Sequence, residues 1–241
     1  MAKPIIKWVG GKRQLLVDIL TNLPVNINTL SKSSRYFEPF IGGGALFFAL
    51  QDHWSKNTDS VLLQSSVIND FNPELTNLYQ CVKDYPNELF HCLNNKDIFK
   101  NEKSCFLKIR EWDREINYLS RPSFERAARF LYLNRTAFNG IWRVNSKGFF
   151  NVPFGNYKNP GMPTLQQLKD ASIALSNTTI FTGDFEKSLD SVSEGDFVYF
   201  DPPYVPLSNT SSFVGYTKNG FGFDMQKRLS KLCRKLTENN V

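Results

Sequence analysis

Four short apolar runs punctuate the chain, each ending in a turn-forming or acidic residue. Tyr36-Phe37-Glu38-Pro39-Phe40, Val67-Ile68-Asn69-Asp70, Thr179-Ile180-Phe181 and Phe197-Val198-Tyr199-Phe200 read as strands, the last as a short buried one. Helical periodicity lies between and around them. Ile41-Gly42-Gly43-Gly44 is a tight turn, and Ala45 opens a helix. Asn72-Pro73-Glu74 supplies an N-cap, a proline at the first helical position and an acid in the first turn. Helical patterns then run, with breaks, through Cys81, Leu93 and Leu107. Ser123 is expected to cap a helix across Ala127, Leu131 and Leu133, and further helices are expected over 14–20, 164–176 and 226–236. Residues 138–163 are rich in Gly, Asn, Pro and aromatics and predict a hairpin with loops. The polar stretch 51–66 predicts a surface excursion.

Strand–helix alternation at both ends implies a parallel, doubly wound α/β sheet. The helical, basic middle reads as an insertion. The expected division is one discontinuous domain, 1–75 with 164–241, and an inserted domain over 76–163.

Composition narrows the class. The chain has 241 residues, 41% of them hydrophobic, enough for a sizeable core with a smaller appended unit. No apolar run approaches the roughly 20 residues of a membrane span, and the first residues lack the apolar centre of a signal peptide. Cys81, Cys92, Cys105 and Cys233 show no metal-ligand spacing, so reduced structural thiols in a cytoplasmic protein, with no metal, are expected. The net charge is +6, and its placement says more than its size. From Arg126 to Lys169 there is no acid, while Arg129, Arg135, Arg143, Lys147 and Lys158 fall within that window. A long acid-free stretch suggests a polyanionic partner, although an excess on a basic surface would look the same.

Candidate chemistry gathers at the strand ends. Asp201-Pro202-Pro203-Tyr204 follows the fourth apolar run, at the edge where open α/β sheets place their sites. Two prolines stiffen the turn and remove backbone donors, leaving carbonyls free to accept. Asp201 and the Pro202 carbonyl can then both accept from one amino group, with Tyr204 stacked on the ring that carries it. A proline-rich turn with a capping Asp is the plainer alternative. Gly42 and Gly44 lie between a strand and a helix, an arrangement that suits a nucleotide but equally a simple turn. It lacks the third glycine of the dinucleotide fingerprint, where Phe47 stands. Asp70 ends the second strand near where an acid grips ribose hydroxyls, or else caps a helix. Asp184 can accept from an adenine amino group, with Phe185 against the ring. At the N-terminus Lys12 can meet a carboxylate and Trp8 can cover a cation.

With these pieces in place the chain resembles the DNA adenine-N6 methyltransferases of the Dam type. The matching segments are Lys7-Trp8-Val9-Gly10-Gly11-Lys12, Phe37-Glu38-Pro39-Phe40-Ile41-Gly42-Gly43-Gly44, Gly183-Asp184-Phe185 and Asp201-Pro202-Pro203-Tyr204. The middle matches through Asn134-Arg135-Thr136-Ala137-Phe138-Asn139-Gly140 and Phe150-Asn151-Val152-Pro153-Phe154-Gly155. The resemblance implies a Rossmann-like S-adenosylmethionine-dependent sheet with an inserted, mostly helical target-recognition domain and hairpin. It implies S-adenosylmethionine as methyl donor and double-stranded DNA as substrate, and looks closest to restriction-modification members that modify adenine in GATC. A monomer is expected.

Residue by residue, it places Trp8, Lys12, Phe40, Gly42, Gly44, Asp70, Asp184, Phe185 and Asp201 at the cofactor. Asp201, Pro202 and Tyr204 fall at the target base, which must be flipped out of the duplex to be reached. Arg143 matches an arginine that reads guanine; Arg135, Asn139, Ile141 and Pro153 fall at DNA-contacting positions. The family continues beyond the position of Val241 with a further strand, a Leu-Ser-Asn-Ser-like segment and a hairpin. The expectation is therefore a C-terminally incomplete sheet in a fragment or a truncated product, with the Asp201 strand as an edge and Asn240-Val241 as the first residues of the next strand. A truncated, inactive, sequence-specific DNA-binding protein is therefore the alternative. Methylation of RNA or of a protein amide is a further one, and the acid-free basic hairpin with Arg143 and Asn139 favours duplex DNA over a protein amide.

Overall fold

The computed structural model describes residues 2–23, 34–56, 65–204 and 221–241. Its centre is a parallel four-stranded sheet of β1 (Tyr36–Glu38), β2 (Ser66–Asp70), β3 (Thr178–Thr182) and β4 (Phe197–Val198), in the order β3-β2-β1-β4. Tyr36 pairs with Ser66 and with Phe197, and Ile68 pairs with Ile180. Alternation along the strands sends neighbours to opposite faces. Tyr36 and Ile68 join the main core, whereas Phe37 and Val67 pack with Leu189 and Leu236 on the other side.

Eight helices are described: α1 (Leu16–Thr21), α2 (Ala45–Lys56), α3 (Pro73–Asp84), α4 (Pro86–Leu93), α5 (Lys103–Arg110), α6 (Ser123–Thr136), α7 (Leu165–Leu175) and α8 (Phe223–Glu238). Helix α3 starts as its sequence dictates, with the Asn72 side chain accepting from the Glu74 and Leu75 amides. Helix α7 starts with a capping box between Thr164 and Gln167. The main core runs without interruption from Leu78 on α3 through Phe130 on α6 to Leu168 on α7. Trp142 stacks on Phe130 at 3.9 Å between ring centroids, fixing the hairpin region to α6. Among the described residues, no helix is long and apolar enough to cross a membrane.

Several expectations are corrected. Ser123 is the first residue of α6 and makes no side-chain cap; Pro122 holds the cap position. The polar stretch from residue 51 begins inside α2, because Trp54 continues the buried stripe of Leu46, Phe47 and Leu50. Residues 57–64 of that stretch lie outside the described residues. The helix expected over 14–20 is a 3-10 turn, Lys12–Gln14, followed by α1. The fourth strand is cut to two half-buried residues, because it pairs with β1 alone at the sheet's edge. Asn240 has φ of +56° and Asn240-Val241 forms no strand; the Asn240 carbonyl accepts from Gly195. The hairpin is held by two antiparallel bridges, Ala137 with Phe154 and Val144 with Phe150, rather than a ladder.

Candidate active site

All four strands deliver their C-terminal ends to one cavity of about 770 Å³. Asp70, Asp184 and Asp201, from three different strand ends, all line it, as do Trp8, Lys12 and Phe40. The strand-end acids that the sequence marks one by one thus share a single cleft.

The glycine turn forms one wall. Gly42 has φ of +45°, and a Cβ there would come within 2.7 Å of the Trp8 indole nitrogen. Only glycine suits both the left-handed backbone and the close approach. Gly44 also sits at positive φ, +67°. The turn is tied to β2: the Gly42 amide donates to Asp70 Oδ2 at 3.1 Å, and the Asn72 amide donates to Asp70 Oδ1 at 2.9 Å. The Tyr79 hydroxyl donates to the Gly42 carbonyl at 2.7 Å. Burial pushes the Asp70 carboxyl up to about 6, against the backbone amides that favour its charged form. Asn69, one residue earlier, donates to the Pro39 carbonyl at 2.9 Å and to the Gly183 carbonyl at 3.1 Å. It thereby staples the β1 and β3 ends across β2.

Aromatic rings form the far end. Phe40 and Phe185 lie 5.2 Å apart, and Phe221 meets Phe40 edge-on at 5.5 Å. The Arg228 guanidinium lies 5.2 Å from the Phe185 ring centre and donates to Asp184 and Glu186.

At the opposite end, Lys12 Nζ lies 2.5 Å from Asp201 Oδ1 and 5.1 Å from the Tyr204 ring centre. Burial lowers the Lys12 pKa, but Asp201 and Tyr204 more than offset it and the net direction is upward. Pro202 lines the cavity beside Asp201, and Tyr204 is 70% exposed, so its ring is open to a visitor. Glu38 sits beneath, buried at 3% exposure, with the Tyr36 hydroxyl donating to Oε2 at 2.6 Å. Burial, with the nearby Asp201 charge, raises its carboxyl to about 8. Sequence reasoning missed Glu38, Asn69, Phe221 and Arg228 as cavity residues. An acid embedded in an apolar strand end was an available signal for Glu38; Arg228 meets partners more than 40 residues away in sequence and offered none.

The basic window divides in two. Arg129 is buried and pairs with Asp113 at 2.8 Å, Arg126 pairs with Glu74, and Arg135 donates to the Ile5 carbonyl. These three are committed inside the protein. Arg143, Lys147 and Lys158 are exposed. Arg143 Nε donates to Asn151 at 2.8 Å, which orients the guanidinium from the hairpin. Asn139 is exposed with φ of +53°, its amide donating to the Tyr157 hydroxyl. Pro153 is exposed nearby, and its carbonyl accepts from Phe138; Ile141 is half-buried against the core.

A parallel sheet with a glycine turn, strand-end carboxylates and an aromatic-walled cleft defines a nucleotide-cofactor α/β enzyme. The chain belongs to the D12 class N6 adenine-specific DNA methyltransferase family, which it matches over residues 8–241. It is 44% identical over 241 residues to Type II methyltransferase M1.LlaDCHI of Lactococcus lactis subsp. cremoris, covering 99% of this chain and 78% of that protein. It is 42% identical to Type II methyltransferase M.MjaIII of Methanocaldococcus jannaschii, covering 97% and 80%. It is 34% identical to the DNA adenine methylase of Escherichia coli K12, covering 99% and 78%. The family implies DNA as substrate and S-adenosylmethionine as methyl donor.

The residues present fit that donor. The cavity is large enough for a nucleoside with an amino-acid tail, the Gly42 approach leaves room for no side chain, and aromatic rings lie at the end opposite Lys12.

Proposed function

We propose that this chain methylates adenine N6 within GATC in duplex DNA after flipping the base into the cavity. The observation that carries the reading is the convergence of Asp70, Asp184 and Asp201 on one cleft, with the open Tyr204 ring at its mouth. S-adenosylmethionine supplies an electrophilic methyl group when bound. Asp70 would take the ribose, Asp184 and Phe185 the adenine, and Trp8 and Lys12 the amino-acid end, between the walls formed by Phe40, Gly42 and Gly44. Asp201 and the Pro202 carbonyl accept from N6–H of the target, which draws the nitrogen lone pair out of ring conjugation. Tyr204 stacks on the base and orients it. Placement and local charge then supply most of the acceleration, with no covalent nucleophile required.

The base must leave the duplex because its amino group is otherwise paired and out of reach of Asp201. Arg143 reads guanine through O6 and N7. Asn139, Ile141 and Pro153 bear on neighbouring bases, and Arg135 supports that surface from beneath while held by Ile5. In this reading 76–163 forms the recognition unit, and 1–75 with 164–241 the catalytic one.

The test is transfer of tritiated methyl from S-adenosylmethionine to two duplexes, one containing GATC and one lacking it. Label at N6 of adenine on the first alone is the expected result. Label on both would overturn the site assignment. Tight GATC binding without label on either would favour the DNA-binding alternative.

A further inference from the structure

Arg228 projects from α8 to the aromatic end of the cavity, where one of its amino groups, Nη2, lies 2.9 Å from both carboxylate oxygens of Asp184. Its Nε donates to Glu186 Oε1 at 2.9 Å, and the Glu186 amide donates to Asp184 Oδ1 at 3.0 Å. The guanidinium carbon stands 5.2 Å from the centre of the Phe185 ring. The arginine therefore grips the acid and touches the ring that flank the same end of the cleft.

A carboxylate has about four acceptor sites. Oδ1 receives the Glu186 amide and Arg228, whereas Oδ2 receives Arg228 alone among the described residues. One site on Oδ2 is left for a further donor. Arg228 thus fixes the plane of the carboxylate without using it up.

We propose that Arg228 is a positioning residue for cofactor selectivity: it aims the open site of Asp184 at the exocyclic amino group of the cofactor's adenine. This rests on the reading that Asp184 meets that amino group. Arg228 acts through Asp184, and its effect is confined to ligands carrying the 6-amino group. Because its side chain is 39% exposed, its replacement leaves the core intact.

The experiment measures dissociation constants, without DNA, for S-adenosylhomocysteine and S-inosylhomocysteine, which differ at that amino group. Wild type, Arg228→Leu, Arg228→Lys, Asp184→Asn and Arg228→Leu with Asp184→Asn are compared. Arg228→Leu is expected to weaken S-adenosylhomocysteine by roughly 5-fold, the range of a partly exposed charge contact, with little change for the inosyl compound. Arg228→Lys should recover part of the loss, and in the Asp184→Asn background Arg228→Leu should cost less than about 2-fold. Equal weakening of both ligands, or the same loss in the Asp184→Asn background, would overturn the proposal. So would unchanged binding by Arg228→Leu when wild type discriminates between the ligands. Failure of wild type to discriminate would instead remove the reading of Asp184 on which it rests, and the proposal with it.

Discussion

Lys12 Nζ and Asp201 Oδ1 are 2.5 Å apart although 189 residues separate them in the chain. The contact joins the N-terminal loop to the sequence that carries the proposed target site. It is only partly screened, with side-chain exposures of 15% and 25%. A lysine held there sets the carboxylate's direction. Lys12→Ala is therefore expected to reduce methyl transfer by roughly 100-fold, the scale of a small misplacement at a reacting centre, and to leave duplex binding intact. Single-turnover transfer and a gel-shift titration, run together, check this.

Arg143→Ala should relax preference at one guanine by about 1–3 kcal/mol, because a bidentate contact to O6 and N7 would be lost. Competition between GATC and single-substituted duplexes measures it. Equal loss on every sequence would make Arg143 a phosphate contact.

The basic residues separate by what faces them. Lys147 is exposed, and Lys147→Ala should lower the salt slope of DNA binding by about one. Arg129→Ala should cost about 3 kcal/mol of stability, the low end for a broken buried pair, since Asp113 loses its buried cation but keeps Arg114 and the Phe150 amide. Salt-dependent binding and denaturant unfolding distinguish the two.

That contrast marks where the sequence was legible. The strand-end acids announced themselves by local pattern: an apolar run, then Asp70, Asp184 or Asp201, then a turn. The cap at Asn72 is equally local. The acid-free window agrees with the DNA substrate that the family implies, but it overstates the surface charge, because it counts charge along the chain. Arg126 and Arg129 find Glu74 and Asp113 outside the window, and only packing brings them together. Arg228 was invisible for the same reason. The fourth strand is legible at Phe197–Val198, but its shortness and half-burial are not, because apolar residues at a sheet edge look like those in a buried strand.

Glu38 gives a pH prediction. Its folded pKa, about 8, lies above the ordinary value of 4.5, so the folded state holds a proton that the unfolded chain releases sooner. The stability this contributes is complete below about 4.5 and is lost as pH rises through about 8. Glu38→Gln keeps an acceptor for Tyr36 and cannot ionise. Its Tm relative to wild type should rise between pH 5 and pH 8.5; a constant difference would mean that the folded Glu38 carboxyl ionises at its ordinary value.

The most direct test of the account is Asp201→Ala, assayed for N6-methyladenine in GATC duplexes and for binding to the same DNA. Methylation should vanish while binding persists within a few-fold of wild type. Methylation at the wild-type rate would contradict the assignment of Asp201 as the acceptor for the target amino group.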